Sequence, residues 1–154
     1  MSGEKPEMAK VLFRVQSDDG TCQVETLWAC RLGNDHYRLD NSPFHAYSVS
    51  WNDIVLAPHS QDEGLPTYTR TVRKSGHRTV RIMFDEPAEP GSESDLLLQD
   101  LIALGCTYEG AYGTLISVDV PPNAKLDDVR DYLVRRGATW EHADPTYEEI
   151  FGGG

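Results

Sequence analysis

VETLWACRLGNDHYRLDNSPFHAYSVSWNDIVLA, residues 24–57, is the stretch on which the fold of the first half turns. Apolar and polar positions alternate in it with a period of two, the spacing of a half-buried strand. Val24, Thr26, Trp28 and Cys30 fall on one face of a strand running to Leu32. Gly33-Asn34-Asp35 tolerates positive φ and is expected to reverse the chain into a second strand over residues 36–39. Residues 53–57 read as a third strand. Trp28, Tyr37, Phe44 and Trp51 are then expected as the large packing side chains of this half.

Outward from that block the strand pattern continues. Val11, Phe13 and Val15 alternate with Leu12 and Arg14, and Ser17-Asp18-Asp19-Gly20 supplies turn chemistry. Residues 68–72 form another strand-like run. Five or six short strands without a helix over residues 10–74 predict a small SH3-like β-barrel, since closing a sheet hides its edges. Residues 1–9 are polar and expected to be flexible.

The periodicity changes after residue 75. Residues 77–84 predict a strand with Val80, Ile82 and Phe84 inward and Thr79, Arg81 and Met83 on the other face. Ser92 or Ser94 can cap a helix carrying Leu97, Leu98, Leu101, Ile102 and Leu104, and Gly105 ends it. Residues 107–112 and 115–120 predict an antiparallel pair around Gly113, with Ser117 and Asp119 facing out. A second helix with Leu126, Val129, Leu133 and Val134 on one face ends at Gly137, and residues 138–142 close with a strand. That order, βαββαβ over residues 75–145, is the split βαβ unit of ferredoxin-like domains. The fold class is α+β, with residues 146–154, PTYEEIFGGG less its Pro, as a flexible acidic tail. Gly152–Gly154 resembles a conjugation tail, but no helix-in-grasp order accompanies it.

The chain has 154 residues and a net charge of −11, unevenly spread. Residues 1–69 carry five basic and ten acidic side chains, residues 70–81 five basic and none acidic, and residues 82–154 four basic and fifteen acidic. The overall field repels nucleic-acid phosphate and steers a basic protein toward the chain. Cys22, Cys30 and Cys106 show no metal or redox spacing and read as reduced thiols of a cytoplasmic protein. No apolar run approaches the roughly 20 residues that cross a bilayer, and MSGEKPEMAK lacks the apolar core of a secretory signal.

VETLWA at 24–29, YRLDNSPF at 37–44, NDIVLA at 52–57 and SGHRTVR at 75–81 together resemble a family of uncharacterised bacterial domains. The resemblance spans roughly residues 10–145 and implies no activity. Ser42 departs from the aliphatic residue expected before its Pro, a matter of loop packing.

Chemistry-bearing residues are sparse. His77, beside Arg73, Lys74, Arg78 and Arg81, is the candidate anion ligand or general base, at the junction of the two halves. The run Arg70–Arg81 also reads as a strand–turn–strand hairpin whose cations pair with acids, with Tyr68 available for stacking a base. Cys30, His45 and Asp40 or Asp53 have the residue types of a nucleophilic triad, but Cys30 falls on a strand face with apolar neighbours. The five His residues, 36, 45, 59, 77 and 142, show no metal spacing, and Gly105, Gly110 and Gly113 make no phosphate cradle. No catalytic residue, metal or cofactor is assigned. The leading expectation is a non-enzymatic acidic binding or regulatory protein, such as an inhibitor or immunity-type partner of a basic protein. The alternatives are an anion- or metabolite-binding module at the junction and an enzyme acting around His77. No nucleic acid or membrane is expected as partner, and an open face of the second-half sheet offers a surface for a homodimer.

Overall fold

The computed structural model describes residues 7–17, 19–111 and 113–152. The expectations for residues 1–6, Asp18, Tyr112 and Gly153–Gly154 lie outside those residues. The first half is built from β1 (Met8–Gln16), β2 (Cys22–Gly33), β3 (His36–Leu39), β4 (Ile54–Leu56), β5 (His59–Ser60), β6 (Leu65–Pro66) and β7 (Arg70–Arg73). Five of these form an antiparallel sheet in the order β1-β2-β3-β4-β7. The reversal between β2 and β3 uses the expected positive φ values, 97° at Gly33, 54° at Asn34 and 62° at Asp35.

Two expectations for this half are corrected. The inward face of β2 is Glu25, Leu27 and Ala29, in register with Phe13, Val11 and Ala9. Val24 and Trp28 point outward, 55% and 47% exposed, so Trp28 is not a core side chain. Glu25 can occupy an inward position because three backbone N–H groups, of Phe44, His45 and Ala46, donate to its carboxylate at 2.6–3.0 Å. Nor is the sheet a closed barrel. β1 is an edge, its backbone joined to the segment before β7 at the Leu12–Thr67 bridge and the Tyr68 N–H to Leu12 O bond of 2.9 Å, without a continuous ladder between them. Pro58 and Pro66 lack the N–H groups a continuous ladder would need there.

The second half runs β8 (Arg78–Met83), α1 (Glu93–Ala103), β9 (Thr107–Ala111), β10 (Leu115–Val120), α2 (Leu126–Arg135) and β11 (Thr139–Asp144). The sheet order is β11-β8-β10-β9, antiparallel throughout. Ser92 caps α1, its hydroxyl accepting from Asp95 N, and Gly105 follows the helix at φ 100°. Both helices lie on one sheet face, where Leu97, Leu98, Leu101, Val129 and Leu133 meet Val80, Ile82, Ile116, Val118 and Val120. Each fully buried Leu or Ile there stabilises the fold by about 1.5–3 kcal/mol before entropy is counted. Ile102 and Val134, expected on the apolar faces, are exposed.

The other face of this sheet is also covered, which corrects the expectation of an open surface for pairing with a second copy. Thr79, Arg81, Ser117, Asp119 and Asp144 are at most 4% exposed. Loop 42–53 of the first half lies on them, Ser117 Oγ donating to Pro43 O and Ser50 Oγ meeting Thr79 Oγ1 at 2.8 Å. Ser117 and Asp119 therefore face a seam rather than solvent. The run Arg70–Arg81 is likewise not a hairpin: β7 pairs with β4 in the first sheet, β8 with β10 and β11 in the second. Beyond β11, α3 (Tyr147–Phe151) forms where a flexible tail is expected. Among the described residues no helix is long and apolar enough to cross a membrane.

Candidate functional site

The cations singled out in the sequence separate into three environments. Lys74, His77 and Arg81 turn into the seam, Arg78 lies on the helix-covered face of the second sheet opposite Val120, and Arg73 lies exposed on the outside of the first sheet, opposite Ile54. Lys74 Nζ donates to Asp53 Oδ2 at 2.5 Å, to Asp144 Oδ2 at 2.6 Å and to Ser48 O at 3.1 Å. Ser50 N–H and Ser75 N–H complete the Asp53 carboxylate, and Ser50 Oγ donates to Asp144. Burial pulls the Lys74 ammonium down, but its bonds to Asp144 and Asp53 outweigh that and hold it above the ordinary lysine value. Burial pushes Asp144 above the usual carboxylate range despite Lys74 and Ser50.

His77 Nδ1 lies 2.8 and 3.0 Å from the two oxygens of Asp119, with the edge of its ring against Trp51, centroids 5.0 Å apart. An ionised Asp119 fixes the proton on Nδ1, and among the described residues Nε2 makes no hydrogen bond. Burial raises Asp119 above its ordinary value. Asp119, Trp51, Asp40, Ser42, Tyr108 and Glu109 line a cleft of about 200 Å³, in which every ionisable side chain is an acid. Arg78 Nη2 donates to Pro121 O at 2.7 Å and Ala124 O at 2.5 Å. Arg81 donates from Nε to Glu141 at 2.9 Å and from Nη1 to Ala46 O at 2.7 Å, with its guanidinium 4.5 Å from the centre of the Tyr47 ring. The Arg81 bonds hold loop 42–47 on the second sheet.

The triad residue types do not converge. Cys30 is buried with its thiol 3.9 Å from Arg31 O, His45 lies on the Glu25-bound loop, Asp53 is taken by Lys74, and Asp40 accepts from Trp51 Nε1 at 3.2 Å. Burial pushes the Cys106 thiol up to about 11, leaving it protonated at neutral pH. Among the described residues no three His, Cys, Asp or Glu side chains are placed to hold a metal ion. The partners missing from the sequence reading are Glu25, Ser50, Asp119, Glu141 and Asp144. One signal was present: Glu25 shares its alternating phase with Leu27 and Ala29.

Chemistry open to an outside molecule lies on the helical layer. Asp100, Leu104, Asp128, Asp131, Tyr132 and Val134 line a groove of about 790 Å³ between α1 and α2, with Arg135 also on its wall. Tyr132 Oη donates to Asp100 at 2.5 Å across it, and burial followed by that bond pushes the phenol up to about 12. Leu96, Ile102 and Val134 are exposed on the same two helices.

No curated protein matches the chain. A solved structure of a hypothetical protein from Neisseria gonorrhoeae is similar to it with a TM-score of 0.78, covering 94% of this chain and 99% of that one. The two share 16% sequence identity, so the likeness concerns the fold alone. The family described as Domain of unknown function (DUF4265) matches residues 25–143, most of the length, and the chain belongs to that family.

Proposed function

We propose that this protein is a non-enzymatic binding module that takes a basic segment of a protein partner into the acidic groove between α1 and α2. The carrying observation is the composition of that groove: three carboxylates, Asp100, Asp128 and Asp131, against one cation, Arg135, beside the apolar side chains of Leu104 and the exposed Val134. A segment with Lys or Arg on one side and aliphatic groups on the other matches both features. The withdrawal of Arg78 onto the carbonyls of Pro121 and Ala124 and of Arg81 into the seam leaves the surface of the second half still more acidic than its formal charge. An inhibitor or immunity-type role for a basic protein is the form this reading takes. On the same reading the halves are an SH3-like sheet and a ferredoxin-like domain fused by the seam, in a cytoplasmic protein.

The rival readings have less support. An anion at the junction would meet Arg78 and His77 already bonded, Arg73 turned away, and a cleft lined by Asp40, Glu109 and Asp119. Catalysis at His77, whose ring Asp119 holds, would still need a nucleophile, and the Cys106 thiol is protonated.

The test is affinity capture from the source cell with the native chain and with D100K/D128K/D131K, followed by identification of the retained proteins. Basic proteins held by the native chain, released by moderate salt and missing from the variant are expected. A retained set that is identical for both chains would refute the groove.

A further inference from the structure

The outward face of the first sheet gathers cations that are scattered along the chain. Directly opposed residues of antiparallel strands share a face. One cross-strand row therefore runs Met8, Cys30, Arg38, Ile54, Arg73, from β1 through to β7. Beside it on one flank lie Lys10 and Trp28, opposed to each other, and on the other His36, Leu56 and Arg70. Lys10, Arg38, Arg70 and Arg73 are exposed, and among the described residues none forms an ion pair with an acid. Trp28 is 47% exposed, with Lys10 Nζ 5.0 Å from its ring centre. A protein of net charge −11 thus carries a face with four cations free of ion pairs and a half-exposed indole, with Asp40, whose N–H bonds Trp28 O, as the acid beside the indole.

We infer that this face binds single-stranded nucleic acid. Its chemistry alternates as that ligand's does: guanidinium and ammonium groups for phosphates, an aromatic face and aliphatic patches (Met8, Ile54) for bases. Four steps between neighbouring strands, each about 4.8 Å, make the row roughly 19 Å wide, room for a few nucleotides. An acidic peptide would leave Trp28 without a role. An anionic bilayer would need insertion by more than one indole, against the repulsion of the remaining negative surface. The overall negative charge slows encounter, so binding belongs to low and moderate salt, and the site is separate from the α1–α2 groove.

The experiment is fluorescence anisotropy of a labelled RNA and DNA strand of about 12 nucleotides, titrated with the full chain from about 20 mM salt upward. Binding is expected, with log K falling linearly with log salt at a slope of roughly −2 to −3, as about three or four phosphate contacts to a single strand require. R38E/R73E should weaken it at least about tenfold and W28A about fivefold or more, with Trp28 fluorescence quenched on binding to the native chain. D100K/D128K/D131K should not weaken it, which separates this face from the proposed groove. R38Q/R73Q, which adds no charge repulsion, should follow R38E/R73E in direction while keeping the native melting temperature. No binding at low salt, or equal binding by R38E/R73E, overturns the inference. So does preference for a polyglutamate peptide or phosphatidylserine vesicles over both nucleic-acid strands.

Discussion

At the scale of single residues, Lys74 carries the sharpest consequence. It is the only described cation between Asp53 and Asp144, carboxylates whose side chains are 0% and 6% exposed. Lys74→Met leaves them facing each other without a counterion. Removing one partner of a buried pair costs about 3–5 kcal/mol, and because Lys74 is itself half exposed, about 2 kcal/mol is expected at neutral pH. The pH profile gives the stricter test. A lysine held above its ordinary 10.5 when folded contributes stability that is complete below that value and lost as pH rises through the folded value. The native chain should therefore lose stability in the alkaline range faster than K74M, read as urea midpoints between about pH 9 and 12. The raised Asp144 acts in the acid range with the same sign: its contribution is present below 3.8 and declines as pH rises. The deficit of K74M should accordingly shrink on acidification. The cation run was legible in the sequence because its five Lys and Arg residues fall within residues 70–81 with no acid between them. Their acceptors were not, since Asp144 is 70 residues from Lys74, Asp119 42 from His77 and Glu141 60 from Arg81.

At the scale of elements, caps and alternation were legible to different degrees. Ser92 and Gly105 mark the ends of α1 by local chemistry, and the helix forms between them. Ser92→Ala removes the acceptor for Asp95 N and should cost about 1 kcal/mol, a fall in melting temperature of about 2–4 °C for a chain of this size. For β2, alternation located the strand but not its inward face, because Trp28 outweighs Glu25 on any hydrophobicity count. The phase is decided by Phe44, His45 and Ala46, whose N–H groups satisfy Glu25 from about 20 residues away. α3 was hidden for a related reason. Its capping box, Thr146 with Glu149, is short and local, but Ser48 Oγ of the seam loop also donates to Glu149 at 3.0 Å. Bonds from the Thr146 backbone, with Ser48, hold Glu149 below the usual glutamate value. Thr146→Ala should free residues 147–151 alone. Hydrogen exchange there is expected to accelerate, while the global unfolding midpoint moves by less than about 0.5 kcal/mol.

At the scale of the whole molecule, the seam decides whether the halves behave as one unit. Its members are polar on both sides: Glu25, Ser50 and Asp53 from the first half, Thr79, Arg81, Ser117, Asp119 and Asp144 from the second. Either half alone would expose polar groups rather than an oily surface, so sequence hydrophobicity gave no sign of the contact. Cooperation between the halves must then come from directed bonds, and Arg81 makes the most of them. It bonds Glu141 and Ala46 O, stacks on Tyr47, and helps fix the loop whose other side binds Glu25. Arg81→Met should cost about 2 kcal/mol, chiefly by leaving Ala46 O unpaired in a buried site, since Glu141 is half exposed and keeps its bond from Tyr47 Oη. If the seam fuses the halves, that loss falls on both together. Urea unfolding of the native chain and of R81M should each give one transition, with coincident midpoints for tryptophan fluorescence and far-ultraviolet dichroism. A native chain that unfolds in one step while R81M unfolds in two would place the coupling in this one side chain. Two steps in the native chain itself would mean that the seam orients the halves without making their folding a single event.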